Sequence, residues 1–267
     1  MTQLDSSSST AVRIDNVSKW YRRKGEAVHA LSRVSLDVAR SEFVSLIGPS
    51  GCGKSTMLRL AGGLLDPDRG QIEVNGVAPR DARRLKQYGF VPQHPALLPW
   101  RTVARNVSLL GDINTRNSSP GMSEQDQLQM LDEIGLGPFL DALPRELSGG
   151  LQQRVSIARA FALGAPVLLM DEPFSALDEI TRAEMRYLLL EMWERAGSTV
   201  LFVTHSIPEA VVLSDRVVVL GARPGRITEI VDVPLPRPRH ADVEDTDAFH
   251  EVLARVRSAL RQGYGSQ

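Results

Sequence analysis

The stretch Gly48-Pro49-Ser50-Gly51-Cys52-Gly53-Lys54-Ser55-Thr56 follows directly on an apolar run at 44–47. Its spacing, Gly48-x-x-x-x-Gly53-Lys54-Ser55, is that of a loop built to wrap phosphate. Glycines let backbone N–H groups turn inward around a phosphate chain without a Cβ in the way. A helix opening near Lys54 aims the positive end of its dipole at the same point. Lys54 then reaches the outer phosphates, and the Ser55 hydroxyl is a ligand for Mg²⁺. Cys52, the single cysteine of the chain, lies between these groups. A neighbouring ammonium and a helix N-terminus both favour thiolate, which predicts a lowered pKa and fast alkylation that bound MgATP slows.

A phosphate loop does not say whether the nucleotide is cleaved. That information sits in Val167-Leu-Leu-Met-Asp171-Glu172-Pro173, an apolar strand ending in two carboxylates. Asp171 suits a metal ion held through water, and Glu172 suits a base that orients or deprotonates an attacking water. Gln93 and His205 stand in comparable places, each just after a short apolar run. In an open parallel sheet, ligands bind at the carboxyl ends of the strands. Gly48, Gln93, Asp171 and His205 would then share one rim, with His205 reading the terminal phosphate.

The stretch Leu147-Ser148-Gly149-Gly150-Leu151-Gln-Gln-Arg154 adds a second anion surface. Ser148 is a good N-cap, and the glycine pair leaves helix-start N–H groups open. One nucleotide does not easily use both surfaces of one chain. Two chains arranged head to tail would place Ser148, Gly149 and Gly150 of each against the nucleotide of the other.

The elements that must position these residues read as an α/β layer fold. Short apolar runs at 44–47, 89–91, 167–170, 199–203 and 216–220 have the continuous character of strands buried on both faces of a mostly parallel sheet. Segments 12–17, 34–38 and 72–74 alternate apolar with polar, as half-exposed antiparallel strands do. Between 94 and 150 strand signals vanish, and Ser123 followed by Glu124 and Asp126 opens a helix. After residue 230 the sequence Pro-Leu-Pro-Arg-Pro-Arg-His reads as a linker. A last helix carries Phe249, Val252, Leu253, Val256 and Leu260 on one face.

With these motifs in place, the chain resembles the ATP-binding subunits of ABC transporters over residues 12–230. The resemblance implies a P-loop, RecA-like sheet with an N-terminal antiparallel β subdomain and a helical insert at about 94–150. It leaves 1–11 as a disordered polar lead and 231–267 as a linker and helix. Residues 48–56 look like the Walker A loop, 167–172 like Walker B, and Gln93 like the glutamine that reaches the metal. Ser175-Ala-Leu-Asp178 resembles the D-loop, His205 the switch histidine and 147–151 the signature. Leu151 departs from the glutamine usual at the fifth signature position. Tyr21 matches the aromatic that stacks on adenine, with Trp20 next to it as the alternative. His94-Pro-Ala-Leu-Leu-Pro-Trp100 and Ala222-Arg-Pro-Gly225 are similar to the nitrate, sulfonate and taurine importer group. Leu97, Leu98 and Trp100 would then line a groove for a membrane subunit, or Trp100 would belong to the core of the helical insert.

The resemblance implies an ATP hydrolase that uses ATP and Mg²⁺. Its implied partners are a second ATPase subunit, transmembrane permeases and, indirectly, a solute-binding protein. Its place would be peripheral, on the cytoplasmic face of the cell membrane. Composition agrees with a globular chain. There are 267 residues, 42% hydrophobic, with a formal net charge of -1, so no global field draws it to nucleic acid. One cysteine excludes an intrachain disulfide. A kinase or GTPase would share the loop but has no use for Leu-Ser-Gly-Gly, and no guanine-binding Asn-Lys-x-Asp is present. The nearest alternatives are an exporter subunit and a non-transport ABC ATPase.

Overall fold

A computed structural model describes residues 9–23, 26–113 and 121–265. Residues 1–8, most of the expected polar lead, lie outside the described residues. Strand β1 (Thr10–Arg23) begins two residues before the expected boundary at 12. It pairs antiparallel with β2 (Glu26–Ala39) and with β4 (Arg69–Val74), giving the order β2-β1-β4.

The second sheet runs β5 (Tyr88–Val91), β6 (Val167–Asp171), β7 (Thr199–Val203), β3 (Phe43–Ile47), β8 (Arg216–Leu220), β9 (Ile227–Asp232). Its neighbours are parallel until β9, which folds back antiparallel on β8. Every residue of β3, β6 and β7 is buried, which explains why these segments read as unbroken apolar runs.

Side chains alternate between two cores because successive strand residues point to opposite faces. Phe43, Leu168, Met170, Val200 and Phe202 face one core. The helices supplying that core are α3 (Val103–Asp112), α4 (Glu124–Glu133), α5 (Gly149–Ala162), α6 (Glu179–Ala196), α7 (Ile207–Leu213) and α8 (Asp247–Gly265). Val44, Leu46, Leu169 and Leu201 face the other core, with α1 (Lys54–Ala61) and the inner face of the antiparallel sheet. A short helix, α2 (Pro79–Arg84), closes that side. Between β5 and α5 the described residues are helical or irregular, with Ser123 accepting from the Asp126 N–H at the start of α4.

The segment after β9 is not a linker. Val233 and Leu235 are buried, and the guanidinium of the buried Arg239 donates to the carbonyls of Val211, Val212, Ser214, Val233 and Leu235. Burial, helped by nearby Arg237, pushes Arg239 down to about 10. Arg237 lies over the Trp193 ring at 4.1 Å and pairs with Asp215 at 2.9 Å. The prolines that suggested a free tether instead set an extended path, which one buried arginine fastens to the end of α7. The last helix then delivers Phe249, Val252 and Val256 to the main core, on the face its periodicity predicts.

Candidate active site

Loop 48–53 leaves the end of β3 and curls into α1. Gly53 has φ 101°, a left-handed conformation, and a Cβ there would meet Leu31 Cδ2 at 2.5 Å. Glycine is required on both counts. The curl turns the Lys54 ammonium inward, where it donates to Gly48 O at 2.8 Å and Pro49 O at 3.3 Å. Ser55 follows on the first turn of α1, and its hydroxyl donates to Asp171 Oδ1 at 2.7 Å. The loop after β3 and the end of β6 thus meet through a hydroxyl–carboxylate pair.

Asp171 is buried, and burial raises its carboxyl above the ordinary range, against the Ser55 hydrogen bond and the charge of Arg59. Glu172, the next residue, has φ 47°, uncommon for a residue with a side chain. The turn is held by its N–H donating to Val203 O at 2.9 Å, and it points the carboxylate into the cleft. Strained backbone of this kind concentrates at functional sites. Glu172 Oε2 lies 3.3 Å from His205 Nδ1. The strand end carrying His205 is braced from below. Thr204 donates to the buried Glu209 carboxylate at 2.5 Å, and Arg182 joins Glu209, at 3.7 Å, to the Leu177 carbonyl at 2.7 Å. Burial holds the Glu209 carboxyl above the ordinary range.

Gln93 is exposed after β5 and donates through Nε2 to Ser175 Oγ at 3.3 Å. Tyr21, Ser50, Gly51, Gly53, Lys54, Ser55, Thr56, Gln93 and Glu172 line one cleft of about 490 Å³. Tyr21 enters from β1 and its hydroxyl is 3.2 Å from Thr56 Oγ1. Trp20 faces the other side of that strand, stacked on His29 at 4.3 Å and 8° with Arg69 beyond it. Of the two aromatics left open by the sequence, only Tyr21 faces the cleft.

Cys52 corrects an expectation. Its thiol packs in the core beneath the loop and is 1% exposed. Burial raises the thiol's pKa and outweighs Lys54 and the backbone N–H groups that would lower it. Residue spacing gave the neighbours of Cys52 but not the direction of its side chain.

Ser148, Gly149 and Gly150 are absent from the lining of this cleft. Ser148 caps α5 by accepting from the Leu151 N–H at 3.3 Å, and Ser148 and Gly149 are exposed. Leu151 packs against the main core, so the departure from glutamine is absorbed in packing. Asp178 likewise caps α6, accepting from the Thr181 N–H at 3.0 Å, and this bond holds its carboxyl below the usual range. Trp100 is 73% exposed and so lies outside the core of the insert. Sequence reasoning missed Arg223, which lines the cleft. Its signal was the Arg-Pro-Gly sequence, read only as a group marker.

The donor set at the rim is a hydroxyl, a carboxylate and an amide. Oxygen donors of this kind fit a hard cation such as Mg²⁺. Among the described residues no cluster of His, Cys, Asp and Glu offers a self-sufficient metal cage. A cation here would therefore share its ligands with phosphate oxygens.

A phosphate loop joined by a hydroxyl–carboxylate contact to a paired carboxylate and imidazole suits a nucleotide, and ATP binding is what the names of this chain's relatives state. Residues 31–175 match the family model described as "ABC transporter". A putative ATP-binding protein of Brucella abortus is 44% identical over 240 residues, covering 86% of this chain and 87% of that protein. The chain belongs to the ABC transporter ATP-binding family. It is therefore an ATP-hydrolysing cassette, and the mixed sheet described above is the P-loop fold of that family. The aliphatic sulfonates import ATP-binding protein SsuB of Bacillus cereus is 37% identical over 94% of this chain and 96% of its own length. The dimeric cassette MJ0796, solved with ADP and Pi, superposes with a TM-score of 0.73 at 35% identity, over 84% of this chain and all of that one.

Proposed function

We propose that this cassette is the ATPase subunit of an importer for a small anion of the sulfonate, taurine or nitrate type. In this reading it works as a head-to-tail dimer bound to separate membrane subunits. The observation that carries the catalytic part is the Ser55–Asp171 contact beside the Glu172–His205 pair, all at the mouth of the phosphate loop. Loop N–H groups and Lys54 hold the phosphates. Ser55 and Asp171, with Gln93 above them, would hold Mg²⁺, which supplies charge stabilisation on the phosphate oxygens. Glu172 accepts a proton from the attacking water as its oxygen bonds to phosphorus and the bond to ADP breaks. His205, hydrogen-bonded to Glu172, keeps that carboxylate aimed.

The dimer follows from what one chain lacks. Its own Ser148, Gly149 and Gly150 stand off the cleft, the first two exposed, while a related cassette was solved as a dimer. A second copy could bring these N–H groups, and Asp178 of the D-loop, to each nucleotide. Among the described residues no helix is long and apolar enough to cross a membrane. Transport therefore needs transmembrane permeases, with a solute-binding protein delivering cargo, and a place against the cytoplasmic face of the membrane. Exposed Trp100 with Leu97 and Leu98 is the candidate docking patch. The importer reading rests on the likeness to a sulfonate importer subunit along nearly the whole chain; an exporter subunit is the alternative.

The test is in two stages. Glu172→Gln keeps the shape of the side chain but removes its basicity, and should lower ATP turnover on the order of a hundredfold or more. Wild-type turnover in this variant would remove Glu172 from the mechanism. The complex purified with its membrane chains and placed in proteoliposomes should then show ATPase activity stimulated by an alkanesulfonate, taurine or nitrate. Export of a solute with no response to these anions would favour the alternative.

A further inference from the structure

Strand order divides the rim of the cleft into two flanks. Gln93, Glu172 and His205 follow β5, β6 and β7, on one side of β3 and its phosphate loop. The other side is closed by the turn between β8 and β9, which carries Arg223. That turn is hydrogen-bonded to β2 and packed against the loop. The Gly225 N–H donates to Ala30 O at 2.9 Å, its carbonyl accepts from the Ser32 N–H at 2.9 Å, and a Cβ on Gly225 would lie 1.9 Å from Cys52 O. No residue with a side chain fits there, so the turn packs directly on the phosphate loop. The guanidinium of Arg223 then lies over Gly51, its Nη2 3.4 Å from where a Cβ on that residue would be.

Among the described residues no hydrogen bond or ion pair engages this guanidinium. Other arginines of the chain, Arg154, Arg182, Arg186, Arg216 and Arg237 among them, are paired with carboxylates. The flank across the loop holds the carboxylate of Glu172, and Lys54 points into the loop's own carbonyls. A polyphosphate entering the cleft would meet its one free guanidinium on the β8 side. A planar fork of N–H donors is well matched to phosphate oxygens.

We propose that Arg223 is a nucleotide-binding residue that grips the polyphosphate from the β8 flank of the loop, within the same chain. This rests on the reading that the cleft holds MgATP. The experiment is calorimetric titration of the full chain with MgATP and, separately, with MgADP, for wild type, Arg223→Ala and Arg223→Lys. Loss of a charge-assisted contact predicts about a tenfold weaker affinity for both nucleotides in the alanine variant. The lysine variant, which keeps the charge but not the fork, should fall between, and KM for ATP should rise in step. Unchanged circular dichroism confirms that both variants fold. Affinities within twofold of wild type for both nucleotides overturn the inference and leave the MgATP reading standing. Unchanged ADP affinity with loss only of ATP-driven association also overturns it, by making Arg223 a contact between chains. Failure of the wild type itself to bind MgATP, with the fold intact, overturns the reading of the cleft and this inference with it.

Discussion

Asp171 and Cys52 show how burial sets the chemistry of single residues beside a phosphate loop. The proposed metal role requires Asp171 as carboxylate, and burial makes that form costlier than in a free side chain. Its pKa is raised, so as pH falls protonation begins above the ordinary aspartate value of about 3.9. In that window acidification favours the folded protein at this site, because the buried charge is relieved, while it opposes the metal. The Mg²⁺ concentration that half-saturates ATP binding should rise as pH is lowered towards the ordinary aspartate value, beginning above it. A half-saturation that stays flat down to that value would mean that Asp171 does not hold the metal. Cys52 should alkylate slowly in the native protein, with or without MgATP, and rapidly once denaturant unfolds it. Timed maleimide labelling read by mass spectrometry decides, and fast native labelling would contradict the buried position.

At the scale of elements, the loop from Gln93 to Trp100 is stiffer than its irregular backbone suggests. The fully buried Asn106 on α3 accepts from the Leu98 N–H at 2.8 Å and donates to the carbonyls of Leu98, Arg101 and Thr102. Arg159 on α5 donates to Pro95 O and Ala96 O from below. Asn106→Ala leaves the Leu98 N–H and the Arg101 carbonyl without this partner, while the Leu98 and Thr102 carbonyls keep backbone donors, and urea unfolding should show a loss of about 2 kcal/mol. A change of less than a few tenths would show that water replaces the amide at no cost. The legibility of the elements follows the same physics. Strands β3, β6 and β7 were readable because burial on both faces enforces apolar residues at each position. The second half of β1 and the first half of β2 were not, because bulges shift their register and Asn16 and Arg33 adopt positive φ, which breaks the alternation. The helix α2 was missed, being too short to show a period. The phosphate loop, the two carboxylates and the positions of Gln93 and His205 were legible because each ends a strand on the same rim. Arg223 was not, since its place depends on a hairpin folding back over the loop. Composition around 231–239 signalled a tether, because prolines report local backbone preference and not what the chain packs against.

At the scale of the molecule, the proposed dimer would have a second copy of this chain close the cleft. Ser148 and Gly149 are exposed and lie outside the lining of their own chain's cleft, and Gly150 lies against Thr181 at the start of α6. Brought over another copy's phosphate loop, these N–H groups would complete the enclosure of the nucleotide. In the proposed transporter, closure and reopening would move membrane subunits docked at the candidate patch around Trp100. The most direct measurement is the molar mass of Glu172→Gln by light scattering after gel filtration, with and without saturating MgATP, and again with Ser148→Arg added. The account predicts a monomer without nucleotide, twice that mass with MgATP, and a return to monomer when the arginine is introduced. A Glu172→Gln protein that stays monomeric with nucleotide bound, or a dimer untouched by Ser148→Arg, would contradict it.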